Sequence, residues 1–171
     1  MVVNFRIHAD GHVSDAESIR QLGDEQRNKL SKDIFTMVQP HHKAGIMGFC
    51  PMSSYNSAQT RSRSFIVAAY SGERLAGFVH VDLRKQRGKS RCHSLPFFHV
   101  RQIARDGSFK NLGSHLMNIA IEYARGLDGN IRVWYTEVVE GNIPSLKMFE
   151  KFGMKSIGTE NGIVAMETCI E

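Results

Sequence analysis

The chain has 171 residues, 42% of them hydrophobic and 23% charged, with a formal net charge of +5. That size and balance suit one globular domain with its own apolar core and exclude a disordered tail or a small disulfide-stapled scaffold. No apolar run reaches the ~20 residues that span a bilayer, no basic-then-apolar leader opens the sequence, and Cys50, Cys92 and Cys169 are too scattered for a disulfide framework, so a cytoplasmic protein with no membrane partner is expected.

Residues 2–9 predict a first strand. Ser14-Asp15-Ala16-Glu17 has the form of a capping box, in which a Ser hydroxyl and a Glu carboxylate satisfy the free amides of a helix start. Behind it Ile19, Leu22, Leu30, Ile34 and Met37 share mostly one helical face, and Pro40 is expected to stop that helix. Residues 40–63 read as irregular, with Gly45, Gly48, Pro51 and several Ser and Asn. Within them Met47–Met52 suits either a flexible acceptor-site wall or ordinary loop packing.

From Phe65 the period changes. Phe65–Tyr70, a turn at Ser71–Arg74 and Leu75–Leu83 predict a hairpin. Arg84–Arg91 follows, with five basic side chains and no acidic one. It is either a solvated loop or a surface that attracts a nucleic acid, an acidic partner or the phosphates of a cofactor. Phe97–Ala104, aromatic and β-branched, is a further strand. A helix is expected from Leu112, with Leu116, Ile119, Ala120, Tyr123 and Leu127 on one face. Ile131–Val139 reads as a strand, and Asn142–Phe152 as a short helix with Pro144 in its first turn and Gly153 just past its end. Residues 154–159 and 163–170 close the chain as two strands. The order describes an α/β fold of the α+β kind, a mixed sheet with helices on its faces, in a single domain over residues 1–171.

The turn into the helix at Leu112 carries the first chemical signal. A helix start offers unpaired amides and a partial positive charge, and so suits a phosphate or pyrophosphate. Small or polar residues at Asn111, Gly113 and Ser114 let backbone approach such a ligand, and Lys110 adds charge. The segment Asn142–Met154 follows the next strand at a fitting distance. Together the two segments resemble the central motifs of the GNAT superfamily of acyl-CoA-dependent N-acetyltransferases. The family's first motif is Gln or Arg, two free positions, Gly, one free position, then Gly or Ala; those places hold Ser108, Asn111 and Gly113, with the preceding hydrophobic residue present as Ile103. In the second motif Asn142, Ser145, Phe149, Lys151 and Gly153 match in type and spacing, with Met154 where Phe is usual. The resemblance covers residues 64–171.

It implies a GNAT-like acyl-CoA N-acyltransferase fold, with a central, mostly antiparallel sheet flanked by helices. Acetyl-CoA would be the cosubstrate, its pantetheine arm pairing along Gln102, Ile103 and Ala104. The amides of Phe109, Lys110, Asn111, Leu112, Gly113 and Ser114 would cradle its pyrophosphate. Asn142, Ser145 and Phe149 would complete the cofactor site. The acceptor would be a primary amine of a small molecule or a protein, attacking in a ternary complex.

An ammonium must lose a proton before it attacks. Glu137, five residues before Asn142, matches a glutamate that acts as base in ribosomal-protein acetyltransferases of this family. His99 is the other candidate base, by its intrinsic proton affinity. The tyrosine that usually protonates the leaving thiolate is replaced by Phe149, which has no proton to give; Tyr135, Ser145 or water are the alternatives. Loss of that acid also admits a second function, a GNAT-like binding protein that uses residues 84–91 to hold nucleic acid or an acidic partner. His41-His42, Cys50 and Cys92-His93 lack paired zinc spacing, so no metal is expected. Pairing of terminal strands into a dimer is an option the sequence does not decide.

Overall fold

The computed structural model describes residues 2–15, 19–45, 64–84 and 96–170. In chain order these form β1 (Asn4–Ala9), β2 (His12–Ser14), β3 (Ile19–Gln21), α1 (Asp24–Lys43), β4 (Ser64–Ser71), β5 (Arg74–Arg84), β6 (Phe97–Arg105), α2 (Leu112–Leu127), β7 (Val133–Val139), α3 (Ile143–Lys151), β8 (Lys155–Glu160) and β9 (Ile163–Cys169). The strands make one sheet in the order β3-β2-β1-β4-β5-β6-β7-β9-β8. Every neighbouring pair is antiparallel except β6 and β7. Among the described residues no helix is long and apolar enough to cross a membrane.

Both faces of the sheet centre are covered, and β4 shows why its sequence is apolar throughout. Phe65, Val67 and Ala69 face the layer that contains α2, and Ile66, Ala68 and Tyr70 face α1. Helix α2 contributes Leu112, Leu116, Met117, Ala120, Ile121 and Ala124 to the first layer, against Val79, Val81, Phe98 and Trp134. The stripe is rotated from the expected one, since Leu127 is exposed. Helix α1 presents Leu30, Ile34 and Val38, spaced four apart, to Ile66, Ala68 and Phe78.

The N-terminal third departs from expectation. Ser14 closes β2 instead of capping a helix, and Ile19–Gln21 joins the sheet as β3; Ala16 and Glu17 lie outside the described residues. The signal that decides it is Asp10-Gly11, where both residues have positive φ (49° and 76°) and join β1 to β2 with Ala9 opposite His12. An Asp-Gly pair at positive φ is what a two-residue hairpin turn requires. Helix α1 therefore starts later, behind an extended Gly23, with Asp24 and Glu25 offsetting the dipole of its first turn. Pro40 lies inside α1, which runs on to Lys43. So close to the end, proline costs one backbone bond while the buried stripe upstream holds the helix, and Ala44 N–H still donates to the Pro40 carbonyl. Met47–Met52, the rest of 46–63 and the basic run beyond Arg84 lie outside the described residues.

Candidate functional site

Strands β6 and β7 pair only at Phe98–Val100 against Trp134–Thr136. Immediately beyond, the β5–β6 register shifts: Val81 faces Val100 and His80 faces Gln102, which makes Arg101 the extra residue of a β-bulge. The bulge bends β6 away at the point where its ladder with β7 stops. A cleft of about 520 Å³ opens there. Its walls come from Ile103, Ala104 and Arg105 of β6, from Asn111, Gly113 and Ser114 at the start of α2, and from Asn142, Ser145, Lys147, Met148 and Lys151 around α3.

The start of α2 is built to leave amides open. Asn111 occupies the N-cap in the left-handed region (φ 58°, ψ 7°), and its side chain caps nothing. The first intrahelical bond is from His115 N–H to the Asn111 carbonyl, 3.1 Å. Leu112, Gly113 and Ser114 therefore carry amides without helical partners, at the positive end of the helix dipole. Asparagine here adopts the conformation that glycine would, which accounts for Asn at this motif position. Asn111→Ala should cost about 1 kcal/mol of folding stability in urea titration, whereas Asn111→Gly should cost nothing. Gly113 has a different reason: a Cβ there would lie 2.9 Å from the Met148 sulfur, so a larger residue would force the Met148 side chain to shift. On α3, Asn142 is the N-cap and its Oδ1 accepts from Ser145 N–H, 3.3 Å.

Of the residues proposed for the cofactor, Ile103, Ala104, Asn111, Gly113, Ser114, Asn142 and Ser145 line the cleft. Five do not. The bulge turns Gln102 into the sheet, where it is buried opposite His80. Leu112 and Phe149 are core residues, and Phe109 packs half-buried against the same cluster. The Phe109 amide is directed to the Asp106 carbonyl, 3.4 Å, and Lys110 is exposed outside the lining.

The opposite face of the sheet carries a polar band across four strands: Ser64, then His80 and Asp82, then His99 and Arg101, then Tyr135 and Glu137. The Ser64 hydroxyl donates to Asp82 Oδ1 at 2.6 Å and lies 2.8 Å from His80 Nε2. His80 Nε2 is also 3.1 Å from Asp82 Oδ1, while Arg101 and Arg84 reach Asp82 Oδ2 at 2.9 and 3.2 Å. This is no nucleophilic triad. Serine and aspartate meet the same ring nitrogen, and the serine proton goes to the carboxylate. Hence His80 carries its proton on Nε2, and buried Nδ1 has no partner among the described residues. Burial lowers the proton affinity of His80 more than Asp82 raises it. For Asp82 burial acts upward, but hydrogen bonds from His80, Ser64 and Arg101 prevail and hold the carboxyl far below the usual carboxylate range.

The catalytic candidates lie on this band. Burial pushes His99 down to about 3, and its buried Nε2 has no partner among the described residues. A ring neutral down to such acidity accepts an ammonium proton less readily than an ordinary imidazole. Its ring stands 5.3 Å from that of Tyr135, whose hydroxyl donates to Glu137 Oε1 at 2.7 Å. Glu137 is half-buried on β7, just past the last residue paired with β6. The sequence reading missed the Ser64–His80–Asp82–Arg101 network and the cations Arg105 and Lys147, and it gave Lys151 no role beyond its place in the second motif. The first had a signal, polar His80 and Asp82 two apart in an otherwise apolar strand. The second had another, two lysines four apart on one helix face.

A profile described as Acetyltransferase (GNAT) family matches residues 30–154. No curated protein matches the sequence. Among solved structures, PaiA N-acetyltransferase from Thermoplasma acidophilum in complex with coenzyme A is similar over 99% of both chains, with a TM-score of 0.66 at 14% identity. The GNAT domain of S. lividans PAT gives 0.67 at 17% identity over 87% of this chain and 88% of that one. Arabidopsis thaliana NAA60 in complex with acetyl-CoA gives 0.63 at 13% identity over 99% of each. At such identities the likeness is one of fold.

Proposed function

Because the chain belongs to the GNAT family of acetyltransferases, we propose that it binds acetyl-CoA in the cleft between β6 and β7 and transfers the acetyl group to a primary amine. The observation that carries this reading is the coincidence of two features on one cleft: the open amides of α2 behind Asn111, and the parting of β6 from β7 at Arg101. A diphosphate suits the first. An extended arm with amide groups suits the second, laid against Ile103–Arg105 like an added strand. Asn142 and Ser145 stand beside both. That PaiA and NAA60 were solved with coenzyme A and acetyl-CoA supports the assignment.

Acetyl-CoA supplies an acyl group activated as a thioester. The residues of the chain supply position and proton transfer. Glu137, oriented by the Tyr135 hydroxyl, takes a proton from the incoming ammonium, directly or through one water. The free amine then forms the C–N bond at the thioester carbonyl as the C–S bond breaks, with no covalent enzyme intermediate. Phe149 cannot protonate the departing thiolate, and Ser145 is the α3 hydroxyl that lines the cleft. CoA thiolate is a fair leaving group, so turnover does not hinge on that donor. The acceptor is an amine of a small molecule or of a protein, in the cytoplasm to which the cysteine usage is suited.

Thermal-shift titration with acetyl-CoA and CoA tests the cofactor site. At ~100 times the dissociation constant a ligand stabilises the native state by ~2.7 kcal/mol. The expected result is a saturable shift that survives moderate salt and shrinks in Asn142→Ala. An amine screen read by thiol release then identifies the acceptor class. No shift with either nucleotide would overturn the reading.

A further inference from the structure

The wall of the cleft contributed by α3 carries more positive charge than a diphosphate at α2 requires. Pro144, Lys147, Met148 and Lys151 all line the cleft, at the spacing of one helix face. Met148 seats this face on Gly113 at the start of α2. Lys147 and Lys151, one turn apart, flank that contact. Like charges at this spacing repel, and α3 has only nine residues over which to offset them. None of the ion pairs among the described residues involves either lysine.

Arg105 belongs to the other end. Its Cδ lies 3.9 Å from the position of a Cβ on Gly113, and its guanidinium donates to the Phe109 carbonyl at 3.1 Å. It therefore sits over the helix start with the open amides. The cleft thus carries positive charge both at the start of α2 and along α3. Coenzyme A has two separate anionic groups, the diphosphate and a phosphomonoester on the ribose 3′ oxygen, the latter with a charge of roughly −1.5 to −2 at neutral pH by analogy with other phosphomonoesters.

Building on the acetyl-CoA reading, we propose that Lys147 and Lys151 form a subsite for the ribose 3′-phosphate of coenzyme A and make the protein selective for it over dephospho-coenzyme A. Both lysines are exposed, so the interaction is partly screened and weakens as salt rises.

Affinities of the full chain for CoA and dephospho-CoA, measured by calorimetry at low and moderate salt, test the subsite. The wild type should bind CoA about tenfold more tightly or better, as two charge-assisted contacts would give. The Lys147→Ala/Lys151→Ala variant should lose that preference while binding dephospho-CoA as the wild type does. Charge reversal, Lys147→Glu/Lys151→Glu, should make dephospho-CoA the better ligand. Equal wild-type affinities would overturn the subsite, as would a double variant that weakens both ligands by the same factor, since the lysines would then serve the diphosphate. Binding of neither nucleotide would instead remove the acetyl-CoA reading, and the subsite with it.

Discussion

Glu137→Gln should lower kcat/KM for acetyl transfer by about 100-fold or more, with affinity for acetyl-CoA held within about twofold. The substitution keeps the shape of the side chain and an oxygen that can still accept from the Tyr135 hydroxyl at the 2.7 Å contact. What it removes is the capacity to hold a proton. An amine that reaches the site as an ammonium then waits for bulk solvent to deprotonate it, so the variant should recover part of its rate at alkaline pH. His99 provides no substitute, because burial keeps its ring neutral down to about 3. The wild-type pH–rate profile should accordingly show no step from His99 between pH 5 and 8. Thiol release measured across pH for wild type and Glu137→Gln, beside unfolding curves that show an intact fold, checks all of this. An unchanged rate in the variant would assign proton removal to solvent alone.

The sequence was legible where structure is local. β4 and β5 announce themselves by a continuous apolar run on each side of Ser71–Arg74, and both faces of β4 are indeed covered. The two strand-to-helix turns follow from short-range rules, and Asn111, Gly113 and Ser114 of the first, with Asn142 and Ser145 named through the GNAT resemblance, line the cleft. The N-terminal error was also local: Ser14–Glu17 looks like a capping box, but Asp10-Gly11 had already committed the chain to a hairpin. β3, three exposed residues long, shows no alternation that could have revealed it. The bulge at Arg101 was not legible at all. It exists only as a mismatch between β5 and β6, and no residue of β6 marks which position is skipped. The cations of α3 could be counted in advance, but that they share a wall with the start of α2 required the contact between Gly113 and Met148.

Asp82→Ala should destabilise the fold by about 3–5 kcal/mol, the usual cost of removing one partner from a buried charged network. For a chain of this length that corresponds to a fall in Tm of about 10 °C. The carboxylate is 3% exposed and ties together Ser64, His80, Arg84 and Arg101. Its loss removes the carboxylate that Arg101, its side chain 13% exposed, reaches at 2.9 Å. The pH dependence has a definite sign. Burial alone would raise Asp82, but the hydrogen bonds from His80, Ser64 and Arg101 hold its folded carboxyl well below the unfolded value of about 3.9. Below about pH 4 the unfolded chain binds a proton at this position that the native chain does not, so stability rises with pH there. The contribution is fully present above about pH 4 and is lost as pH falls toward the folded value. Urea unfolding at neutral pH and near pH 3 should therefore show a smaller acid loss in Asp82→Ala than in wild type, on top of its lower baseline. Asp82→Asn, which keeps the shape and one acceptor, separates charge from packing and should show the same flattened acid response. Because Arg101 is the residue that the bulge inserts, releasing it should also loosen the point where β6 leaves β7 and raise KM for acetyl-CoA. A variant as stable as wild type, with an unaltered acid profile, would mean that water replaces the carboxylate at no cost and that the band across β4–β7 is not what holds the cleft open.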